Sequence, residues 1–279
     1  MKKTFLILFL MALVWQAGAQ HYYKDLVVIE AANKRHAIAK ANKVKGIKFI
    51  SSDAENNPIE GFISEQSFSR DYSEVITRTS TSLTGATLST SWYNSKDQLI
   101  KTQDTSDGSN TITTYTYTAA NRVETITNIT TSAGDFRIKE THHWKYNSQG
   151  KPVSMLKIKN DKDSTLVEFV PDEKGNPAEE KSKMRGKSLP TVYYYFDDDN
   201  NLTDIVRYNN IAKRLLPDYV FEYDEKNRLG SMLVVPEEGS DYQKWYYSYD
   251  EDNLKILDAC YSKTKVLIGK VEYEYSYWN

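Results

Sequence analysis

The sequence predicts an all-β protein in which repeated antiparallel β-hairpins form one extended, twisted or partly closed sheet. A short phrase recurs along the chain: an aromatic strand, then an acidic or Asn turn, then Leu or Val. It is plainest in residues 195–202 and 221–229. Aromatic residues occupy alternate positions in the strands, as expected for half-buried antiparallel strands. The Asp, Asn and Gly residues of the turns accept the backbone geometry that a tight chain reversal needs.

The repeat has a regular spacing. The positions before each turn lie 24 to 29 residues apart, which is room for about two strands and their turns. Pro171 replaces the aromatic in one copy, but Asp172 to Pro177 keeps the turn residues. We therefore expect about seven hairpins. The equivalent positions are Tyr93, Tyr117, Tyr146, Pro171, Phe196, Tyr223 and Tyr249.

The N-terminal residues 1–19 have the pattern of a secretory signal peptide. Lys2 and Lys3 precede an apolar run from Phe5 to Trp15, and small residues at 17–19 offer a cleavage site before Gln20. The apolar run is shorter than the roughly 20 residues that a membrane-spanning helix needs. The sequence therefore predicts export to the periplasm or the cell exterior, with no membrane span after cleavage.

The segment that follows differs in composition from the rest. Residues 20–60 are predicted to form a helical or irregular leader, and residues 61–279 the β-hairpin repeat domain. Within the leader, residues 27–29 are strand-like, and Glu30 to Lys48 is rich in Ala and Lys, so we expect one helix ending near Gly46. The basic residues of 34–48 indicate either a solvated helix face or a polyanion contact, and we favour the solvated face.

Composition restricts the classes of function. Cys260 is the single cysteine, so no intrachain disulfide can form, and we expect its thiol to be a small buried hydrophobe. The formal net charge of −2 gives no general attraction to nucleic acid. His142 and His143 are adjacent on a predicted strand and face opposite ways, which disfavours a shared metal. We predict neither a metal site nor a cofactor.

The segment 223–229 resembles a YD repeat, the Tyr-Asp signature of the Rhs and wall-associated families. Tyr249-Asp250 and Phe196-Asp197 support the resemblance, which extends over roughly residues 90–279, although only two copies keep a literal Tyr-Asp pair. It implies a β-hairpin array at or outside the cell surface. Large members curl into a shell around a toxin cargo, but this chain is too short to enclose a protein. It is more similar to a small exported member of the Bacteroidetes type.

The aromatic stripes carry the main functional prediction. Most rings should form the core, but the runs 193–196 and 245–247 place aromatics on both faces of a strand, so one face must meet another layer or stay exposed. We predict an exported, non-catalytic scaffold or binding protein of the cell envelope, with a glycan or a surface protein as partner. One alternative is a glycan-binding module that uses the exposed aromatics, and another is a glycoside hydrolase with spatially paired carboxylates. The candidate ligand-binding aromatics are Trp144, Tyr193, Tyr195, Trp245 and Tyr246.

Overall fold

The computed structural model describes residues 21–81, 85–106, 108–236 and 241–279. The predicted signal peptide lies outside these residues. The described chain forms one helix, α1 (Lys24–Ala41), followed by strands. The strands are β1 (Val44–Asp53), β2 (Ile63–Phe68), β3 (Glu74–Thr81), β4 (Gly85–Tyr93), β5 (Leu99–Ser106), β6 (Ser109–Tyr117), β7 (Val123–Ser132), β8 (Phe136–Tyr146), β9 (Pro152–Lys159), β10 (Asp163–Pro171), β11 (Pro177–Met184), β12 (Lys187–Ser188), β13 (Val192–Phe196), β14 (Leu202–Asn209), β15 (Arg214–Tyr223), β16 (Leu229–Val234), β17 (Gln243–Tyr249), β18 (Lys255–Ser262) and β19 (Leu267–Tyr277).

The strands form a closed antiparallel barrel. Each main strand pairs with its neighbours in sequence, and β19 pairs with β1, for example through Phe49 opposite Tyr273. The two-residue strand β12 pairs with the end of β11, while β11 also pairs with β13, so 18 strands make up the ring. The predicted all-β antiparallel sheet is confirmed, but the expectation of an open or partly closed sheet was wrong. The ring closes because β1 supplies hydrogen-bond partners to the last strand.

The predicted leader contains one helix, but its bounds differ from the expected Glu30 to Lys48. Residues 27–29, which resemble a strand because Val and Ile favour strands, lie inside α1. The helix ends at Ala41, and Lys43 turns the chain with a positive φ of 53° before β1 begins. Strand β1 therefore lies within the predicted leader, and the β domain includes residues well before position 61. Tertiary packing overrides local propensity here, since Ile29 is buried against the barrel wall.

Each copy of the recurring phrase forms the same turn. In the copy after β15, the Asp224 side chain accepts hydrogen bonds from the backbone N–H groups of Lys226 (3.0 Å) and Arg228 (2.8 Å). Asn227 adopts a positive φ of 59°, which Asn tolerates better than most residues. We call this geometry an Asx turn, and the barrel end that carries these turns the Asx rim. All seven predicted turns lie there, between strands β4 and β18.

The tyrosine of the phrase links neighbouring turns. The Tyr223 hydroxyl donates to the carbonyl oxygen of Leu202 (2.9 Å), the residue that follows the preceding turn. This bond recurs at several of the tyrosines that precede a turn and ties those repeats to their neighbours, whereas Pro171 and Phe196 have no hydroxyl to make it. Together these bonds explain why an aromatic residue with a hydroxyl precedes the turn. The other instances are Tyr117 to Leu99, Tyr146 to Val123, Tyr249 to Leu229 and Tyr275 to Lys255.

Helix α1 lies inside the barrel. Near its C-terminal end, the His36 ring stacks on the inward-facing ring of Tyr93 at 3.7 Å between centroids. At its N-terminal end, Tyr23 packs against Tyr194 and Phe169 on the opposite side of the ring. The helix thus bridges opposite walls and buries Ile29, His36 and Ala39, while Val28 on another face is 41% exposed. Within the described residues, no helix is long and apolar enough to span a membrane.

Candidate functional site

A buried polar cluster surrounds the N-terminus of α1. Glu180 on β11 points into the barrel and is 1% exposed. Its carboxylate accepts hydrogen bonds from the backbone N–H groups of Tyr22 (2.8 and 3.0 Å) and Tyr23 (3.0 Å). The Tyr194 hydroxyl donates to the same carboxylate at 2.7 Å. Glu180 therefore satisfies donors at the start of the helix, where the helix dipole favours a negative charge.

A second part of the cluster joins the first turn of α1 to strand β8. The His142 ring lies between two carboxylates, with Nδ1 2.6 Å from Asp25 and Nε2 3.0 Å from Glu140. Lys157 on β9 forms an ion pair with Glu140 at 2.8 Å. Register explains the grouping, since His142 faces Lys157 across the β8–β9 pair and both side chains point inward. We call Asp25, Glu140, His142, Lys157 and Glu180 the anchor cluster.

Burial and pairing shift the pKa values of the anchor cluster in opposite directions. Burial raises the pKa of Glu180 to about 7, and the hydrogen bonds from Tyr194, Tyr22 and Tyr23 only partly offset it. Burial lowers the pKa of His142, but the two flanking carboxylates outweigh burial and raise it to about 9. Burial raises the pKa of Glu140, but hydrogen bonds from His142 and Lys157 outweigh it and bring the pKa to about 2. Near neutral pH the protein therefore holds a charged His142 against a charged Glu140.

The geometry of the anchor cluster suits attachment of the helix. Both Glu180 oxygens are engaged by donors of the chain itself, and Glu140 is held by His142 and Lys157. Buried carboxylates that accept hydrogen bonds from several elements in this way hold those elements together. This role could not be predicted from the sequence, because Glu180 lies in a charged stretch that resembles a solvated strand. Only its position on the inward face separates it from its neighbour Glu179.

The candidate aromatics fall into two groups. Trp144 and Trp245 point into the barrel and are each 4% exposed. Trp144 stacks on Phe169 at 5.6 Å between ring centroids. Tyr193, Tyr195 and Tyr246 face outward.

The three outward tyrosines occupy two places on the outer wall. Tyr193 and Tyr195 share the outer face of β13, and Tyr195 is 51% exposed. Tyr246 on β17 is 45% exposed and contacts Tyr261 edge to face at 5.6 Å. Strands β14 to β16 separate the two places in the ring. The structure therefore does not bring the five candidates into one site, and ligand binding at the outward tyrosines stays a prediction.

Other sequence features have structural roles. Cys260 is buried, and burial raises the pKa of its thiol to about 12. His143 faces outward and lies 3.2 Å from the Thr125 hydroxyl, so the two adjacent histidines do face opposite ways. The Asp197 side chain accepts hydrogen bonds from the backbone of Asp199 and Asn201 in its own Asx turn.

The fold and the anchor cluster define a closed all-β barrel with an internal helix. No family model and no curated protein matches the chain. Among solved structures, it is similar to the Photorhabdus luminescens Tc holotoxin pore, with 14% identity over 75% of this chain and 12% of that chain and a TM-score of 0.34. It is also similar to a porin-like protein from Bacteroides uniformis, with 9% identity over 84% of this chain and 98% of that chain and a TM-score of 0.39. A putative outer membrane lipoprotein-sorting protein domain from Vibrio parahaemolyticus matches at 13% identity over 88% of this chain and 93% of that chain, with a TM-score of 0.15. The chain thus spans about an eighth of the toxin chain, and these similarities assign it no activity.

Proposed function

We propose that this protein is an exported, non-catalytic barrel of the cell envelope that acts as a scaffold or binding protein through its outer surface. The observation that carries the proposal is the internal helix. Because α1 occupies the barrel and the polar groups at its start are bonded to the wall, the buried carboxylates serve the fold. A ligand or partner would therefore bind at the outer wall or at the two ends of the barrel.

The outer wall supports a barrel that works in water. Outward-facing ion pairs lie within the strands, including Lys244 with Glu222 at 2.9 Å and Lys181 with Glu179 at 2.7 Å. A lysine facing the middle of a bilayer costs roughly 2–4 kcal/mol. We therefore propose that the strands face solvent and that the protein does not span a membrane after signal cleavage.

We also propose that the repeats belong to the YD type. The Asx turn gives a physical reason for the Asp of the phrase, and the hydroxyl bond to the preceding repeat gives one for the Tyr. Copies of the phrase with Asn or Thr in place of Asp still form the turn. In one of them, the Asn147 side chain accepts a hydrogen bond from the Lys151 backbone N–H at 2.9 Å.

Glycan binding is the second candidate function, and the exposure of Tyr195 and Tyr246 favours it. Flat exposed rings with a polar handle suit sugar rings. Retention on polysaccharide columns tests it with Tyr195→Ala and Tyr246→Ala, and buried Trp245→Ala as the contrast. Loss of retention in the tyrosine variants at unchanged melting temperature would support a glycan platform. Equal retention in all variants would exclude these rings.

A turnover assay tests the non-catalytic part of the proposal. We expect the purified mature protein to release no product from a panel of oligosaccharides. Release that disappears in Glu180→Gln, with circular dichroism showing that the variant is still folded, would show instead that the buried carboxylates act on a substrate. In that case the hydrolase alternative would replace the scaffold.

A further inference from the structure

The two ends of the barrel present different side chains. We call the end opposite the Asx rim the tip rim, because the other set of hairpins reverses there. Near the Asx turns between β4 and β18, the exposed large apolar side chains include Val153 (39%), Val170 (36%) and Ile256 (40%), which lie in the adjoining strand ends. At the tip rim, Ile211 is 72% exposed, and Phe136 and Met184 are 48% and 42% exposed. The more exposed of these apolar side chains therefore lie at the tip rim.

Along one arc of the tip rim, exposed lysine and arginine side chains lie beside the apolar tips. The arc comprises the tips of the hairpins β7–β8, β9–β10, β11–β12 and β14–β15, which are consecutive in the ring. Ion pairs connect these tips, with Lys139 3.0 Å from Asp161 and Arg185 bound to Asp163. The arc adds further exposed cations, namely Lys162, Lys187, Lys213 and Arg214.

The β14–β15 tip shows the combination most clearly. Its loop places Ile211 at the turn, with Lys213 and Arg214 two and three positions after it. Two exposed side chains flank the loop, Tyr208 at the end of β14 and Leu215 near the start of β15. Tyr208 and Leu215 are register partners, so together with Ile211 they place three exposed apolar side chains at one tip, and a group of exposed apolar side chains indicates an interaction surface.

From this arrangement we propose that the basic arc of the tip rim docks onto the surface of an anionic lipid bilayer. Exposed apolar side chains enter the boundary between headgroups and acyl chains, while lysine and arginine contact the negative headgroups. The charge of the arc and the apolar tips both fit this partner. A soluble polyanion would require the cations alone, so the apolar tips favour the bilayer. The inference rests on the proposed export to the cell envelope.

Vesicle sedimentation tests the proposal with the purified mature protein. We expect it to pellet with vesicles made of equal parts phosphatidylglycerol and phosphatidylcholine, and to stay in the supernatant with pure phosphatidylcholine. Lys213→Ser and Arg214→Ser should each weaken partitioning about fivefold, because each cation near an anionic surface contributes on the order of 1 kcal/mol. Ile211→Ser should weaken it by about tenfold through the lost apolar contact.

Matched controls come from the Asx rim. Ile256→Ser removes a side chain that is 40% exposed close to an Asx turn, and Lys226→Ser removes an exposed lysine within one. Both should bind vesicles like the wild type. Circular dichroism of every variant confirms that a loss of binding is not a loss of folding.

The possible outcomes separate the partners. The membrane proposal would be overturned if the tip-rim variants and the Asx-rim controls lost vesicle binding equally, or if the wild-type protein did not pellet with the anionic vesicles. Retention on a heparin column that depends on Lys213 but not on Ile211, without vesicle binding, would identify a polyanion instead. Either result would leave the scaffold proposal standing, since polysaccharide retention and turnover test that proposal separately.

Discussion

Removing the Glu180 carboxylate should release the N-terminus of α1 from the barrel wall. Glu180→Ala leaves the backbone N–H groups of Tyr22 and Tyr23 and the Tyr194 hydroxyl without their acceptor. Each buried donor left unpaired costs about 1–3 kcal/mol, and relief of the carboxylate's own burial offsets part of the sum. We expect a net loss of about 3–5 kcal/mol in the free energy of unfolding. For a domain of this size the melting temperature should fall by roughly 6–20 °C.

Urea unfolding measures the loss, followed by tryptophan fluorescence and far-UV circular dichroism. Glu179→Ala is the matched control, because Glu179 is the adjacent residue but faces outward in an exposed pair with Lys181. It should cost less than about 1 kcal/mol. Glu180→Gln, which keeps an acceptor oxygen, should recover part of the loss near pH 5, where Glu180 is itself protonated. A Glu180→Ala variant as stable as the control would refute the anchoring of the helix by this residue.

The remaining predictions concern pH, the tyrosine bond and the thiol. Glu180 has a raised pKa of about 7, so its contribution to stability is fully present below its ordinary pKa of 4.5 and is lost as pH rises to about 7. His142 has a raised pKa of about 9, so its contribution is fully present below 6.5 and is lost as pH rises to about 9. The lowered pKa of Glu140 (about 2) gives stability lost only as pH falls below 4.5. Burial lowers the pKa of His21 to about 3, which gives stability that is lost as pH falls below 6.5 and so opposes the Glu180 effect there. The melting temperature should therefore decline between about pH 7 and pH 9, and a flat profile over that range would contradict the cluster. Tyr223→Phe should cost about 1 kcal/mol in urea unfolding by removing the bond to the preceding repeat, and no change would mean that the hydroxyl is not needed for register. Cys260 should react with Ellman's reagent only after unfolding, and prompt reaction in the native protein would disprove its burial.

The local pattern predicted the strands and turns because their causes are local. Alternating aromatic side chains and Asx turn residues depend on only a few neighbouring residues, so Tyr223 and Asp224 predict the end of a strand and a turn. Closure of the sheet could not be predicted in this way. It depends on β1 meeting β19 across almost the whole described chain, and the sequence of β1 is no more strand-like than that of residues 27–29.

The internal site was missed for a related reason. Glu180, Asp25 and His142 are far apart in sequence, and they meet only because α1 lies inside the ring. Alternation predicts which residues of a strand share a face, but not which face is inside. Trp144 and Trp245 therefore could not be separated from Tyr195 and Tyr246 before the barrel was known.

Closure of the barrel is tested most directly by a disulfide across the β1–β19 pair. Lys48 and Glu274 are register partners, and directly opposed residues in antiparallel strands lie at Cα distances that a disulfide can bridge. Lys48→Cys with Glu274→Cys, in a Cys260→Ser background, should oxidise to a crosslinked monomer of altered mobility on a non-reducing gel. Lys48→Cys with Glu222→Cys, on the distant strand β15, should stay reduced. A first pair that fails to crosslink in the folded protein would contradict the closed barrel.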